Sequence, residues 1–561
     1  MREAPRGADM LARSVCRAGI SKVFTLSGNH IMPVYDAMLD EKLELVHTRH
    51  EAAAVHMADA WARLTGGVGL ALVTGGPGHA NAISALYTAA MSESPVVLLS
   101  GHAPQNQSGW GAFQEMDQVA MARPIAKAAW AVTSPDTIAD DFALACHIAL
   151  SGRPGPVHLS LPTDILEATT QFSDLPAASK YQPAVQPLAA SLASEIIDRI
   201  RQARRPIVLV GPQGLTDQGR QAVRQLETAL GVPVVATESP RGSNDPSLGD
   251  FATSLASADC AVLLGKRMDF TLGFGREPVF APDCVFLQID ADPLEFERTH
   301  KAVGERLQQR AQADVMAALT SLSEAAQGDT EPVDAAQDGG ELDKARGVEA
   351  FADWLAQVRE AIAYRPPHWL VAGPDAPACL HPAQLCFGVQ PLLDSHPDSV
   401  LVVDGGEFGQ WAQACLRAPH RVINGAAGAI GAALPMAVAA KLLYPQAPVV
   451  AMMGDGTFGF HCAEFDTAVR YQAPFVCVVG NDARWNAEYQ IQVRQYGADR
   501  TIGCELLPSR YEKVAEAFGG HGEYVDHANA LGPALLRANS AGVPACLNVP
   551  LDGLPAPVIR R

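Results

Sequence analysis

The sequence predicts an α/β protein made of three doubly wound parallel-sheet domains. Three observations carry this. Apolar runs of strand length recur along the chain, helical patterns rich in alanine fall between them, and two runs end in Gly-Asp-Gly and Asn-Asp, where an open sheet meets its ligand. At 561 residues the chain also exceeds what one compact core can organise.

The first segment, residues 1–171, contains the helical pattern HEAAAVHMADAWARLTG followed by the runs VGLALVT and PVVLLSG. It closes on GPVHLSLP, a strand framed by glycine and proline, and residues 172–187 read as a connector. The second segment, 188–322, holds four short apolar runs at α/β spacing: PIVLVG, VPVVAT, CAVLLG and CVFLQID. From Ser323 the composition turns acidic and poor in large apolar residues, so 323–378 is expected to be a linker. The third segment, 379–561, carries SVLVVDGG, PVVAMMGDG, PFVCVVGND and PACLNVPL. The first and third segments both end in a strand flanked by proline, which hints at a shared topology.

Composition excludes some function classes. Hydrophobic residues make up 48% and charged residues 18%, ordinary for a globular protein with a large core. A formal charge of −19 and the lack of basic runs argue against nucleic-acid binding. The eleven cysteines show no CxxC and no zinc spacing, so they are expected to be reduced thiols, mostly buried. No signal-peptide pattern opens the chain, and the longest uncharged stretches are broken by Gly and Pro. The expected setting is the cytoplasm, with no membrane contact.

The run Val449–Met453 leads into Gly454-Asp455-Gly456, where a helix should begin. Glycines let a backbone approach phosphate oxygens, and a helix N-terminus offers free N–H groups. Asp455 and Asp482 end two strands that would lie side by side, so both could reach one magnesium ion. An Asp-Gly pair alone also marks an ordinary turn. Likewise Glu51, opening an alanine-rich helix, could do no more than stabilise that helix end.

Gly-Asp-Gly followed some two dozen residues later by Asn481-Asp482 resembles the thiamine-diphosphate (ThDP) motif. The stretches RHEAAAVHMADAWARLTG, LALVTGGPGHANAISALYTAAMSESPVVLLSG and FQEMDQVAMARPIAKAAW resemble the N-terminal domain of acetohydroxyacid synthases, 2-hydroxyacyl-CoA lyases and benzaldehyde lyases. The likeness covers nearly the whole chain in the order pyrimidine-binding, central and diphosphate-binding domain. It implies ThDP and Mg2+ as cofactors, with Asp455, Asp482 and the carbonyl of Arg484 as metal ligands. The family usually has Asn where this chain has Asp482, a departure that an anionic ligand tolerates. Gly454, Gly456 and Thr457 would surround the diphosphate. The Gly428 element would hold the aminopyrimidine amino group, and Ile430 would wedge beneath the bent cofactor. Glu51 would protonate the aminopyrimidine, a task that suits a Glu in apolar surroundings. The resemblance also implies two chains per active site, hence a homodimer at least and usually a homotetramer.

For the reaction, His30 in LSGNHIMPVYDA stands where benzaldehyde lyase has a catalytic His, and Gln114 in AFQEMD matches a Gln that bonds substrate oxygen. NDARWNAEYQIQ resembles the benzaldehyde lyase pattern; its small Ala487 would leave room above the reacting carbon, and Glu488 is either an acid/base or a solvated helix residue. ADCAVLLGKRMDFTLGFG resembles oxalyl-CoA decarboxylases and 2-hydroxyacyl-CoA lyases, which implies an ADP, CoA or FAD moiety in the central domain. Lys266 and Arg267 would meet its phosphates, and Asp290 or Asp292 its ribose; the alternative is a nucleotide fold that holds no ligand. The expected function is a carbon–carbon lyase and carboligase acting on a small molecule, foremost a 2-hydroxyacyl-CoA cleaved to formyl-CoA plus an aldehyde or ketone. Acyloin cleavage, acetolactate-type condensation of 2-oxo acids and a catalytically silent binding subunit are the alternatives.

Overall fold

The computed structural model describes residues 4–328, 348–369 and 379–561. They fall into two compact units, Met1–Pro183 with Pro367–Pro557, and Ala184–Pro366 with Val558–Arg561. Every sheet is parallel, and the apolar runs expected as strands are buried on both faces because helices cover both sides.

The first sheet contains β1 (Lys22–Thr25), β2 (Glu44–His47), β3 (Gly69–Val73), β4 (Val96–His102), β5 (Ala128–Ala131) and β6 (Val157–Pro162), in the order β2-β1-β3-β4-β6-β5. The central sheet contains β7 (Pro206–Val210), β8 (Val234–Ala236), β9 (Cys260–Leu264), β10 (Val285–Asp290) and β11 (Leu307–Gln312), in the order β11-β10-β9-β7-β8. The third contains β12 (Val400–Val403), β13 (His420–Ile423), β14 (Val449–Gly454), β15 (Val476–Asn481), β16 (His521–Tyr524) and β17 (Ala545–Pro550). Its order, β13-β12-β14-β15-β17-β16, repeats that of the first sheet element for element.

The helix Glu51–Thr65 forms because alanine dominates it, and it stops at Gly66, which adopts φ 72°. Its small side chains, Ala53, Ala54 and Ala58 among them, are fully buried and let the backbone lie close to the helix Ala433–Leu443 of the third domain. One apolar core therefore runs through both domains of this unit.

The expected linker needs correction. Residues 323–328 complete the helix Val315–Gly328, and Ala352–Ala363 is a further helix. Trp354, Val358 and Ala361 lie on one stripe of that helix and are buried, and the Trp354 indole donates to the Pro206 carbonyl at 2.8 Å. Residues 329–347 and 370–378 of that stretch lie outside the described residues. The chain's last residues also join the central unit, where the Arg561 N–H donates to Asp250 at 3.3 Å. Most cysteines are buried and none is disulfide-bonded; Cys16 and Cys379 are exposed. Among the described residues no helix is long and apolar enough to cross a membrane.

Candidate active site

Residues from the C-terminal ends of the first sheet converge on Glu51 and His30. Glu51 is buried at the first position of its helix, which His50 caps by accepting the Ala52 N–H on its ring Nδ1 at 3.1 Å. The setting is less apolar than the sequence suggested, since the Asn81 amide donates to Glu51 Oε2 at 3.0 Å. Gly78 keeps this corner narrow, because a Cβ there would lie 3.4 Å from Glu51 Oε1. His30 is 3% exposed, with Nδ1 3.4 Å from Thr74 Oγ1 and its ring stacked on Phe113 at 5.9 Å and 25°. Burial, and secondly the nearby charge of His102, lower its pKa from the usual value, so the ring is neutral at neutral pH. Gln114 lies beside it in the left-handed region at φ 58°. Gly76 makes that possible, for a Cβ on it would sit 2.7 Å from the Gln114 carbonyl oxygen.

The third sheet builds the other half. β14 and β15 are adjacent and in register at Gly454 and Gly480, so Asp455 and Asp482 emerge side by side at one edge. Burial first, then the charge of Asp482, pushes the Asp455 pKa up to about 7, and burial pushes Asp482 up to about 6. Asp455 Oδ2 is buried without a hydrogen-bond partner. Two strained carboxylates and one orphaned oxygen are the environment that a hard cation relieves. Ala483, at φ 52°, turns the chain so that Arg484 follows immediately, its guanidinium lying over the Tyr489 ring at 4.4 Å. Among the described residues no cluster of three or more His, Cys, Asp or Glu forms a metal cage.

Around these carboxylates the backbone lies open. Nothing stands within 4 Å of a Cβ built on Gly454 or on Gly428. Thr457 is buried and its hydroxyl donates to the Gly454 carbonyl at 3.0 Å. Gly456 is tighter: a Cβ there would meet the Trp485 ring at 2.6 Å. Ile430 sits half-buried on a loop that three side chains hold. Asp404 accepts N–H groups from Gly405, Gly431 and Ala433 at 2.7, 2.8 and 2.9 Å. Asn424 donates to the Ala429 carbonyl at 2.9 Å, and His461 Nδ1 lies 2.9 Å from the Gly431 carbonyl. Asp404 escaped the sequence reading, although an acid ending the buried run VLVV was its signal.

Comparison with known proteins gives the family. The profile described as "Thiamine pyrophosphate enzyme, N-terminal TPP binding domain" matches residues 5–121, the central-domain profile 193–322 and the C-terminal TPP binding domain profile 404–549. A "Probable acetolactate synthase" of Mycobacterium bovis (strain ATCC BAA-935 / AF2122/97) is 32% identical over 97% of this chain and 95% of its own. The "2-hydroxyacyl-CoA lyase 2" of Homo sapiens is 31% identical over 93% of this chain and 85% of its own. "Acetolactate synthase, catabolic" of Raoultella terrigena is 30% identical over 98% and 96%. The chain is a thiamine pyrophosphate enzyme. It therefore binds ThDP and acts on carbon–carbon bonds.

In this thiamine pyrophosphate enzyme the two halves are tied together within one chain. Glu464 accepts the Arg49 N–H at 3.0 Å, two residues before Glu51. The Tyr471 hydroxyl accepts the His47 N–H at 2.8 Å and donates to the Leu45 carbonyl at 2.6 Å. The ring of His461 meets those of His50 and His56, each at 5.7 Å. Sequence gave no sign of these ties, because their partners stand more than 400 positions apart.

Other expected site residues are placed differently. Glu488 stands exposed on the first turn of the helix Asn486–Tyr496, and Ala487 beside it is half-buried. In the central unit, Lys266 and Arg267 follow β9 and Asp290 ends β10, so all three reach one sheet edge. Each has local work there. Lys266 donates to Thr271 at 2.8 Å, Arg267 pairs with Glu295 at 3.3 Å, Asp290 accepts the Asp292 N–H at 3.0 Å, and Asp292 caps a helix through the Leu294 N–H at 3.0 Å.

Proposed function

We propose that this enzyme cleaves, and in reverse joins, the bond between a carbonyl carbon and a hydroxyl-bearing carbon, with 2-hydroxyacyl-CoA as its preferred substrate class. The products are formyl-CoA and an aldehyde or ketone. The observation that carries this is His30, a buried, neutral imidazole beside Thr74, Phe113 and Gln114. A neutral imidazole suits removal of a hydroxyl proton as the adjacent carbon–carbon bond breaks, and decarboxylation of a 2-oxo acid has no such proton to remove.

When bound, ThDP supplies a carbon nucleophile that adds to the carbonyl and takes up the electrons of the broken bond. The chain does the rest. Asp455, Asp482 and the Arg484 carbonyl would hold Mg2+, and Gly454 and Gly456 would let the diphosphate approach. Ile430 and the Gly428 element would shape the seat of the cofactor's ring system, and Glu51 would hold a proton against its pyrimidine. Gln114 orients the substrate oxygen, and Ala487 leaves the space above it open. Glu488, on an exposed face, is assigned no part. The active unit is a homodimer of cytoplasmic chains that pair into tetramers. Trp110 and Phe113 on the substrate loop are 81% and 68% exposed in the single chain, which favours a partner over that loop.

A second reading is condensation of 2-oxo acids in the manner of an acetolactate synthase. It is favoured by the engagement of Lys266 and Arg267 with Thr271 and Glu295, since a CoA moiety needs cations to meet its phosphates. Purified protein with ThDP and Mg2+ is to be offered a 2-hydroxyacyl-CoA, benzoin and pyruvate in parallel. Formyl-CoA from the first is the expected result; acetolactate from pyruvate with no formyl-CoA replaces the first reading by the second.

A further inference from the structure

In the central sheet β8 is an edge strand, paired with β7 alone. Two bonds fix its phase. The Val208 N–H donates to the Pro233 carbonyl and the Thr237 N–H to the Val210 carbonyl, each at 2.9 Å. Val235 therefore faces β7, and in a parallel ladder the N–H groups of Val234 and Ala236 point to the open side. The first of these is taken. Glu227, on the helix Asp217–Leu230, accepts the Val234 N–H on Oε2 at 3.1 Å, and its Oε1 accepts Arg359 Nε–H at 3.2 Å.

Ala236 lies two residues further along the strand, about 6.6 Å on. The crossover helix runs the opposite way, so its matching level is one turn, about 5.4 Å, before Glu227. That turn carries Val223 and Arg224, and neither side chain has an oxygen to offer. Among the described residues the Ala236 N–H and the Arg224 guanidinium have no hydrogen-bond or ion-pair partner. Both line one cavity of about 230 Å³, whose other walls include apolar Val223, Leu248, Val358 and Ile362. Its charged lining is Arg220, Arg224 and Arg359 against the single Glu227, in a chain of net charge −19. Arg220 is already engaged by the Leu215 carbonyl and Asp217, and Arg359 by Glu227. Arg224 is the cation left over. Val358 and Ile362 belong to the helix Ala352–Ala363, which stands where an added strand would lie. The space is also below the ~300–1,000 Å³ of drug-sized sites. It suits a short alkyl chain with one anionic acceptor at its end.

We propose that this cavity is a binding site for a short-chain aliphatic monocarboxylate. The carboxylate takes the Ala236 N–H and the Arg224 guanidinium, just as the Glu227 carboxylate takes the Val234 N–H and Arg359. The alkyl chain lies against Val223, Leu248, Val358 and Ile362. None of these residues belongs to the catalytic or cofactor-binding set, so the site stands whatever the enzyme's substrate is.

Hexanoate is the probe, titrated by calorimetry into the full chain loaded with ThDP and Mg2+. Saturable binding with a Kd of about 1 mM or tighter is expected, a modest demand on eight heavy atoms. 1-Hexanol, with the same chain and no charge, should bind about tenfold more weakly. Arg224→Gln, at an exposed position, should weaken hexanoate about tenfold, leave hexanol unchanged and leave turnover at the wild-type rate. Amide hydrogen exchange locates the site without a mutation: saturating hexanoate should slow exchange about tenfold at Ala236 and leave Val234, already bonded, unchanged. Val358→Trp fills the cavity and should abolish hexanoate binding; if that variant fails to fold, the exchange result decides the location. Absence of saturable binding at about 10 mM overturns the proposal. So does equal affinity for hexanol, or for hexanoate in Arg224→Gln, and so does binding that leaves Ala236 exchange untouched. An extended acidic peptide that protects Ala236 where hexanoate does not would make the edge a strand-pairing surface instead.

Discussion

The first and third sheets have the same strand order, and equivalent strand ends can be laid side by side. After β3 the chain runs Thr74-Gly75-Gly76, and after β14 it runs Asp455-Gly456. At the end of β4 stands His102, and just after β15 stands Asp482. Beyond β2 comes Glu51, and beyond β13 the Gly428–Ile430 loop. Beyond β1 comes His30, and beyond β12 Asp404. One edge thus presents Glu51, which accepts from Asn81, among imidazoles; the other presents two buried acids, Asp404 and Asp455, a half-buried Asp482 and open glycine backbone. Topology decides that a ligand meets this edge, and a handful of residues past each strand decide which part of the ligand it is.

Removing one acid from each edge should break the comparison in different ways. Glu51→Ala is expected to cost roughly a thousandfold in turnover, the scale of a lost general acid/base. Its ThDP and Mg2+ affinity, read by calorimetry, should stay close to wild type; retention of most activity would end the assignment of Glu51. Asp455→Asn should do the reverse at the binding step, weakening ThDP–Mg2+ association by about a hundredfold. Unchanged affinity in that variant would move the metal elsewhere.

The smallest expected effect concerns the tie between the edges. Glu464 is buried, which pushes its pKa from 4.5 up to about 7. Its charged form is the disfavoured one, so the penalty is absent below pH 4.5 and complete above pH 7. Glu464→Gln no longer titrates. Relative to wild type the variant should gain stability as pH rises through that window, by ~3 kcal/mol at the upper end. Denaturant melts at pH 5 and pH 8 measure this, and a difference constant with pH would show that Glu464 is not penalised.

Much of this was legible because it is local in sequence. Strands buried on both faces read as continuous Val, Leu and Ile, and Asp455 and Asp482 each follow such a run directly. Asn81 and Glu464 were not legible, since their meaning lies in partners brought close only by crossover connections. Lys266 and Arg267 follow the apolar run CAVLLG, yet composition cannot show that Thr271 and Glu295 already engage them. The helix Ala352–Ala363 was missed for another reason. Its apolar stripe of Trp354, Val358 and Ala361 follows a long acidic stretch whose composition dominates any window that spans both.

The contact between Gly456 and Trp485 limits how this enzyme can be altered. A methyl group on residue 456 would intrude on the indole, so the glycine is held in place from the side as well as by any phosphate above it. Libraries that vary one of the two positions at a time will return mostly damaged proteins and leave the pair looking immutable. Varied jointly, with a smaller ring or an aliphatic side chain at 485, position 456 becomes open to exchange, and with it the depth of the groove beside the indole.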